Sequence, residues 1–404
     1  MTTQTLKPSW KVWRFEQIAT NVNVRIDNPS ESGMEHYVGL EHLDPDSLRI
    51  RRWGSPSDVE AGKLFFKTGD IIFAKRRAYQ RKLGVAEFDG ICSAHAMVLR
   101  AKPEVVLPEF LPFFMQSDLF MNRAVEISVG SLSPTINWKT MAVQEFSLPS
   151  MGEQRRIVEL ISAFDEQIES LEIARSAALR LKNAMAESVF PVAEVKSYLD
   201  KPKEFYGRQL VPLGQVVSLQ VGYPFKSAEY STKGDRLLRG SNVGVNRLNW
   251  EPDITCYWPI ERRSQVPDYV LVVGDVVIAM DRPFISEGFK IARVKNEDLP
   301  ALLLQRVGRF KMGEEIKPEY LWSFLHAESF RWQLQRMQKG TDLPHISKFD
   351  IEGTLIPQLT VDEQIEISEC FSEIEASTAA LEKRLTDAKD QRRQALGTCL
   401  FRES

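Results

Sequence analysis

Lys75 to Lys82 reads KRRAYQRK, five cations and a tyrosine in eight positions, directly after the apolar run Ile71-Ile72-Phe73-Ala74. Like charges at this density repel one another unless anions sit among them. Two chemistries meet that need. One is phosphate and base-edge contact through Lys75, Arg76, Arg77, Arg81 and Lys82, with Tyr79 stacking or wedging; the other is a solvated loop paired with nearby acids. A second loop, Met280 to Lys290 (MDRPFISEGFK), keeps Arg282 and Lys290 and changes the rest. Two versions of one loop point to two specificities. In LLRGSN, Arg239 and Asn242 are further candidates for reading bases, although an Asn in a turn commonly bonds its own backbone. Ser131, Ser133 and Thr341 lie in loops that either touch DNA or simply close a domain. The cluster Arg49, Arg51 and Arg52 beside Trp53 reads more readily as a surface turn.

Signatures of catalysis are missing from the sequence. It has no GxxxxGK[ST] phosphate loop, no glycine-rich dinucleotide fingerprint after a strand, no HExxH and no GxSxG elbow. Asn28-Pro29 and Asp281-Arg282-Pro283-Phe284 echo the (N/D)PP(Y/F) motif of amino-methyltransferases, but neither has the second proline in place. Cys92, Cys256, Cys370 and Cys399 form no CxxC pair, and the five histidines are dispersed, so no metal site is expected. Such a chain binds and positions, leaving chemistry to another subunit.

The elements that must carry these loops are set by an internal repeat. Glu153-Gln154 opens a stretch with a hydrophobic ladder at alternating four- and three-residue steps: Ile157, Ile161, Phe164, Ile168, Leu171, Arg175, Ala178, Lys182, Met185 and Val189. Glu363-Gln364, 210 positions later, opens another: Ile367, Phe371, Ile374, Thr378, Leu381, Leu385, Ala388, Arg392, Ala395 and Cys399. A 3.5-residue period sustained this long marks a helix that packs lengthwise against another helix. The simplest solution pairs the two copies with each other; a dimer between chains through the same seams is the alternative. Acids gather at both starts and bases toward both ends, as the helix dipole favours.

Upstream the duplication continues. Gly130 to Ile136 (GSLSPTI) precedes Gly340 to Ile346 (GTDLPHI) by 210, and Pro108-Glu109-Phe110-Leu111 precedes Pro318-Glu319-Tyr320-Leu321 by the same offset. Gly69-Asp70-Ile71-Ile72-Phe73-Ala74 matches Gly274-Asp275-Val276-Val277-Ile278-Ala279 at 205, so loops between have changed length. The fold class expected is α+β: two pseudo-repeated α+β domains, residues 1–150 and 210–358, separated by two long helices that pack as an antiparallel coiled coil. The helices occupy 151–190 and 359–404, and 191–209 is a linker.

Composition agrees. Hydrophobic residues make up 43% and aromatics 10% of 404 residues, as in globular domains. No apolar run reaches 18 residues and the N-terminus lacks the pattern of a signal peptide, so a soluble, cytoplasmic protein without membrane contact is expected. The net charge of −3 is low for a free-standing DNA binder. Positive charge concentrated in loops such as Lys75 to Lys82 resolves this, and predicts weak, salt-sensitive DNA binding by the isolated chain.

The run from Gly130 through Glu153-Gln154 and the heptads to Val189, repeated from Gly340 through Glu363-Gln364 to Cys399, resembles the specificity subunit of type I restriction-modification enzymes. The resemblance covers nearly the whole chain. The Pro-x-x-x-Glu-Gln entrance to the helix is intact in PSMGEQ (Pro149 to Gln154) and is degraded to LTVDEQ (Leu359 to Gln364), where Pro357 lies two residues earlier. It implies two target-recognition domains, each reading one half of a bipartite, asymmetric site in double-stranded DNA, with the helices as a ruler. Methyltransferase (modification) subunits, carrying the S-adenosylmethionine, would dock on the helices and domains, and restriction/translocase subunits would join them; this chain would bind no cofactor itself. Exposed helix residues Arg155, Arg156, Glu159, Glu166 and Glu169 are the docking candidates, against the simpler reading of solvated charge. Two alternatives remain: a specificity subunit serving a fused restriction-methylation polypeptide, and a coiled-coil adaptor whose globular ends bind proteins.

Overall fold

A computed structural model describes residues 10–201, 207–285, 288–337 and 345–400. The Glu-Gln pairs do what a helix entrance requires, twice over. At the first long helix, Met151–Val189, Ser150 N and Oγ donate to Glu153 Oε2 (3.1 and 3.0 Å), while Glu153 N returns a bond to Ser150 Oγ. Thr360 and Glu363 repeat this reciprocal cap at the second, Val361–Leu400. The glutamines face inward. Gln154 accepts from Leu107 N (2.8 Å) and donates to the carbonyls of Val105 and Pro149; Gln364 accepts from Lys317 N (2.9 Å) and donates to those of Glu315 and Leu359. Each buried amide thus ties a helix entrance to the loop that precedes another helix of its domain, Phe110–Gln116 in the first and Pro318–Leu325 in the second. Gln154→Ala or Gln364→Ala strands one N–H and two carbonyls, so each is expected to cost about 1–3 kcal/mol in denaturant unfolding. A loss no greater than that of exposed Gln167→Ala would remove this role.

The chain divides into two compact units, residues 1–173 with 382–404, and residues 174–381. Each long helix contributes one half to each unit, and every ladder position is buried or half-buried. Two of the polar ladder positions make ion pairs. In the first unit Arg392 pairs with Asp165 (2.5 Å), donates to Gln116 Oε1 (2.8 Å) and lies over the Phe113 ring; Lys389 pairs with Glu172 (3.0 Å). In the second, Lys182 pairs with Glu375 at 2.7 Å, and Met185, Val189 and Phe190 pack with Ile367 and Phe371. As one helix advances its partner recedes, so the pairing in each unit is antiparallel. The fold is therefore α+β with two long antiparallel helices.

In the first unit a four-stranded antiparallel sheet runs Ala19–Val22, Ala96–Ala101, Ile71–Ala74, Leu83–Val85. A second sheet orders Arg25–Ile26, Lys63–Phe66, Gly90–Cys92 and Tyr37–Val38, the last pair parallel. Strand periodicity explains the fully apolar IIFA run: Ile71 and Phe73 face a core of Phe15, Phe114, Phe120 and Phe146, while Ile72 and Ala74 face the second sheet. The second unit repeats this, with Val276 and Ile278 in one core and Val277 and Ala279 in another. Its four-stranded sheet orders Val217–Val221, Val307–Met312, Val276–Ala279 and Ile291–Arg293.

The Gly-Asp pairs that open these strands are turns closed by their carboxylates. Gly69 and Gly274 take φ of +86° and +92°. Asp70 accepts from Lys67 N, and Asp275 from Val272 N, both at 2.9 Å. Part of the segment expected as a linker is instead a helix, Val192–Asp200, because Val195 finds an apolar site among Leu210, Leu355, Tyr198 and Trp332. No helix among the described residues is long and apolar enough to cross a membrane.

Candidate nucleic-acid interface

The basic loop of the first unit is held by its backbone. Ile136 N donates to Lys75 O (2.9 Å) and Arg77 N to Pro134 O (2.7 Å), pinning it to the loop before the helix Trp138–Ala142. Arg77 and Arg81 both adopt the left-handed conformation, φ +58° and +53°, and bracket a short turn whose Ala78 is buried and whose Tyr79 is 54% exposed.

This geometry sorts the cations. Arg76 Nη2 donates to Ser133 Oγ at 3.1 Å, and Arg77 does so from Nε (3.3 Å) and Nη2 (3.1 Å). Two guanidinium groups therefore converge on one hydroxyl, and among the described residues no carboxylate pairs with either. Ser133 holds these arginines in place, while Ser131 and Leu132 stand exposed at the loop tip. Arg81 and Lys82, expected as phosphate donors, are spent inside the chain. Arg81 pairs with Asp46 (2.9 Å) and Asp118 (2.8 Å) and donates to Gln116 O; Lys82 donates to Leu40 O (3.0 Å). Lys75 is half-buried, and burial holds its ammonium below the ordinary lysine value.

Arg282 of the second unit occupies the place of Arg77, exposed and left-handed at φ +45°. Lys290 donates to Gly240 O and is also pushed down by burial. Asn242 is fully buried: its Oδ1 accepts from Arg239 N (3.0 Å) and its Nδ2 donates to Asn249 O (2.9 Å), so it closes its own loop and offers a base edge nothing. Arg239 is exposed and touches Cys256 Sγ at 3.4 Å. Thr341 lies outside the described residues. A cluster that sequence reasoning missed sits beside this loop. Asp281 accepts from Arg306 and bonds His345, each at 2.7 Å. Burial raises the Asp281 carboxyl, but these two partners more than offset it and hold it below the usual carboxylate range. No sequence signal marks the cluster, because its members are 25 and 64 positions apart.

On the long helices Arg155, Arg156, Glu159 and Glu166 are exposed, whereas Glu169 is half-buried and paired with Arg49. Arg51 pairs with Glu172 (2.9 Å) and Arg52 with Asp44, so the arginine cluster before Trp53 braces the domain against the helix in this unit.

Residues 58–180 match a family model described as the type I restriction modification DNA specificity domain. The MjaVIII type I restriction enzyme specificity subunit of Methanocaldococcus jannaschii is 29% identical over 295 residues, which are 71% of this chain and 68% of that protein. The EcoAI specificity subunit of Escherichia coli is 28% identical over 250 residues, 62% of this chain and 40% of its own length. Among solved structures, one described as showing complex assembly and conformational transition of the type I R-M system aligns with a TM-score of 0.61 at 21% identity, covering 98% of both chains. The HsdS subunit from Thermoanaerobacter tengcongensis aligns at 0.50 and 22% identity, over 99% of this chain and 98% of that one. These structural likenesses concern the fold.

Proposed function

We infer that this chain, which belongs to the specificity subunits of type I restriction-modification systems, selects the DNA sequence on which such a system acts. Each unit reads one half of a bipartite, asymmetric duplex site, and the paired helices set the interval between halves. The observation that carries this is the convergence of Arg76 and Arg77 on Ser133 with no carboxylate partner among the described residues. Two cations held at a fixed spacing on a loop, their charges unneutralised, suit adjacent phosphates. The second unit presents Arg282 at the matching position with a different set of neighbours, as two half-sites of different sequence require.

The chemistry would come from partners. Methyltransferase subunits, holding S-adenosylmethionine, would dock on helix faces that carry Arg155, Arg156 and Glu159, which are exposed; translocase and nuclease subunits would join that core. The chain itself would recognise and position DNA without catalysing a reaction.

Mapping methylated adenine across the host genome, with and without this gene, tests the reading. One asymmetric two-part motif should vanish on deletion and return on complementation. An unchanged methylation map from a strain that expresses the partner methyltransferase would refute it.

A further inference from the structure

Each unit carries a cavity at the same place in its fold. In the first unit the sheet aligns Val22, Val98 and Ile72 in one row; in the second the row is Gln220, Arg309 and Val277. One residue beyond the first member of each row stands Asn23 or Val221, and three beyond the last stands Lys75 or Met280. The loop that closes each unit supplies Thr135 or His345, bridged respectively to Arg76 and Asp281. These equivalent residues line a cavity of about 630 Å³ in the first unit and one of about 510 Å³ in the second. Both sizes are typical of sites that receive a ligand group.

Their linings differ in kind. The first adds Asn21, Asn137 and Trp138 to Lys75 and Asn23. Among the described residues neither Lys75 nor the carboxamides of Asn21 and Asn23 have a hydrogen-bond or ion-pair partner, so a half-buried ammonium and two amides meet in one cavity uncommitted. In the second, apolar Val221 and Met280 replace Asn23 and Lys75, and the polar groups are Gln305, Arg306 and His345. The Arg306 and His345 side chains are steered by Asp281, whereas the Gln305 side chain has no partner among the described residues.

We propose that these paired cavities are where each unit discriminates a base of its half-site, the first through Lys75, Asn21 and Asn23 and the second through Gln305 and His345. This rests on the DNA-reading function proposed above. A lysine ammonium donates only, and so selects an edge rich in acceptors, as guanine O6 and N7 provide; a glutamine amide both donates and accepts, and suits adenine N6 and N7. The phosphate-facing pair Arg76 and Arg77 sits on the rim of the same loop and sets the register in which the edge arrives.

The test replaces a residue by its counterpart from the other unit, which this fold already accommodates: Lys75→Met and, separately, Asn23→Val. The chain assembled with its methyltransferase is used to select from duplexes randomised across both half-sites. Selection of a bipartite motif by the unchanged complex is the control, and its failure would indict the proposed function and not the cavity. Each variant should lose preference at one base pair of one half-site, roughly ten- to a hundred-fold, with the other half-site selected as before. An unchanged motif in both variants would overturn the proposal. Uniform weakening with preferences intact would overturn it too, since that is the mark of a phosphate contact. If Lys75→Met fails to assemble, Asn23→Val decides alone.

Discussion

Asp275→Ala should destabilise the second unit by on the order of 3–5 kcal/mol, while Asp70→Ala, at the matching turn of the first unit, should cost far less. Both carboxylates accept a turn N–H and an arginine from the neighbouring strand, so the sequence makes them look alike. Burial separates them. Arg309 is 4% exposed and is held by Asp275 Oδ2 (2.9 Å), Gln220 Oε1, Val270 O and Asp268 O. Removing its only carboxylate among the described residues leaves a guanidinium charge in the core with neutral acceptors, the situation in which breaking a buried pair is most costly. Arg100 is half exposed, so after Asp70→Ala water takes the place of the carboxylate and little beyond the turn bond is lost. The reverse truncation inverts the order: Arg100→Ala strands Asp70, which is 1% exposed. Hydrogen exchange resolved by unit would measure both. Equal losses for Asp70→Ala and Asp275→Ala would show that burial of the arginine does not govern these turns.

What the sequence revealed and what it withheld divide along a physical line. The heptad ladder was legible because a 3.5-residue period is written in side-chain polarity alone and needs no knowledge of the partner. The helix entrances were legible as Glu-Gln pairs, and the structure explains why the missing proline of LTVDEQ does no harm: the cap is made by the Thr360 hydroxyl with Glu363, as by Ser150 with Glu153. The roles of the cations in KRRAYQRK were not legible. Which of them is free depends on acids at Asp46 and Asp118, 35 and 37 positions away, and on two left-handed residues that direct Arg77 and Arg81 to different neighbours. Asn242 shows the same limit, since only the folded loop reveals that its amide is consumed. Equivalent cavities were beyond reach for a further reason. Their alignment follows from strand register, and the offset between copies changes from 205 at Lys75 to 198 at Asn23, which no single repeat length exposes.

The division of the basic loop predicts the largest functional effect. Arg76→Ala with Arg77→Ala should weaken DNA binding by the assembled complex by roughly 10²–10⁴-fold, because each removes a charge-assisted contact of about 1.5–3 kcal/mol. The dependence of log affinity on log salt should flatten by about 1.8, two phosphates' worth of released counterions. Arg81→Ala, two positions beyond Tyr79, should behave differently. It breaks the pairs to Asp46 and Asp118, so its cost falls on stability and its salt slope should match that of the unchanged chain. Ser133→Ala lies between: both guanidinium groups keep their charge but lose the hydroxyl on which they converge, so affinity drops with little change in slope. A protein-binding adaptor would lose no DNA affinity in any of these variants. A flattened slope for Arg81→Ala equal to that of the double variant would mean that the loop meets DNA as one undivided basic patch. The net charge of −3 does not oppose this reading, since the affinity expected here comes from two cations held on one loop and not from the charge of the whole chain.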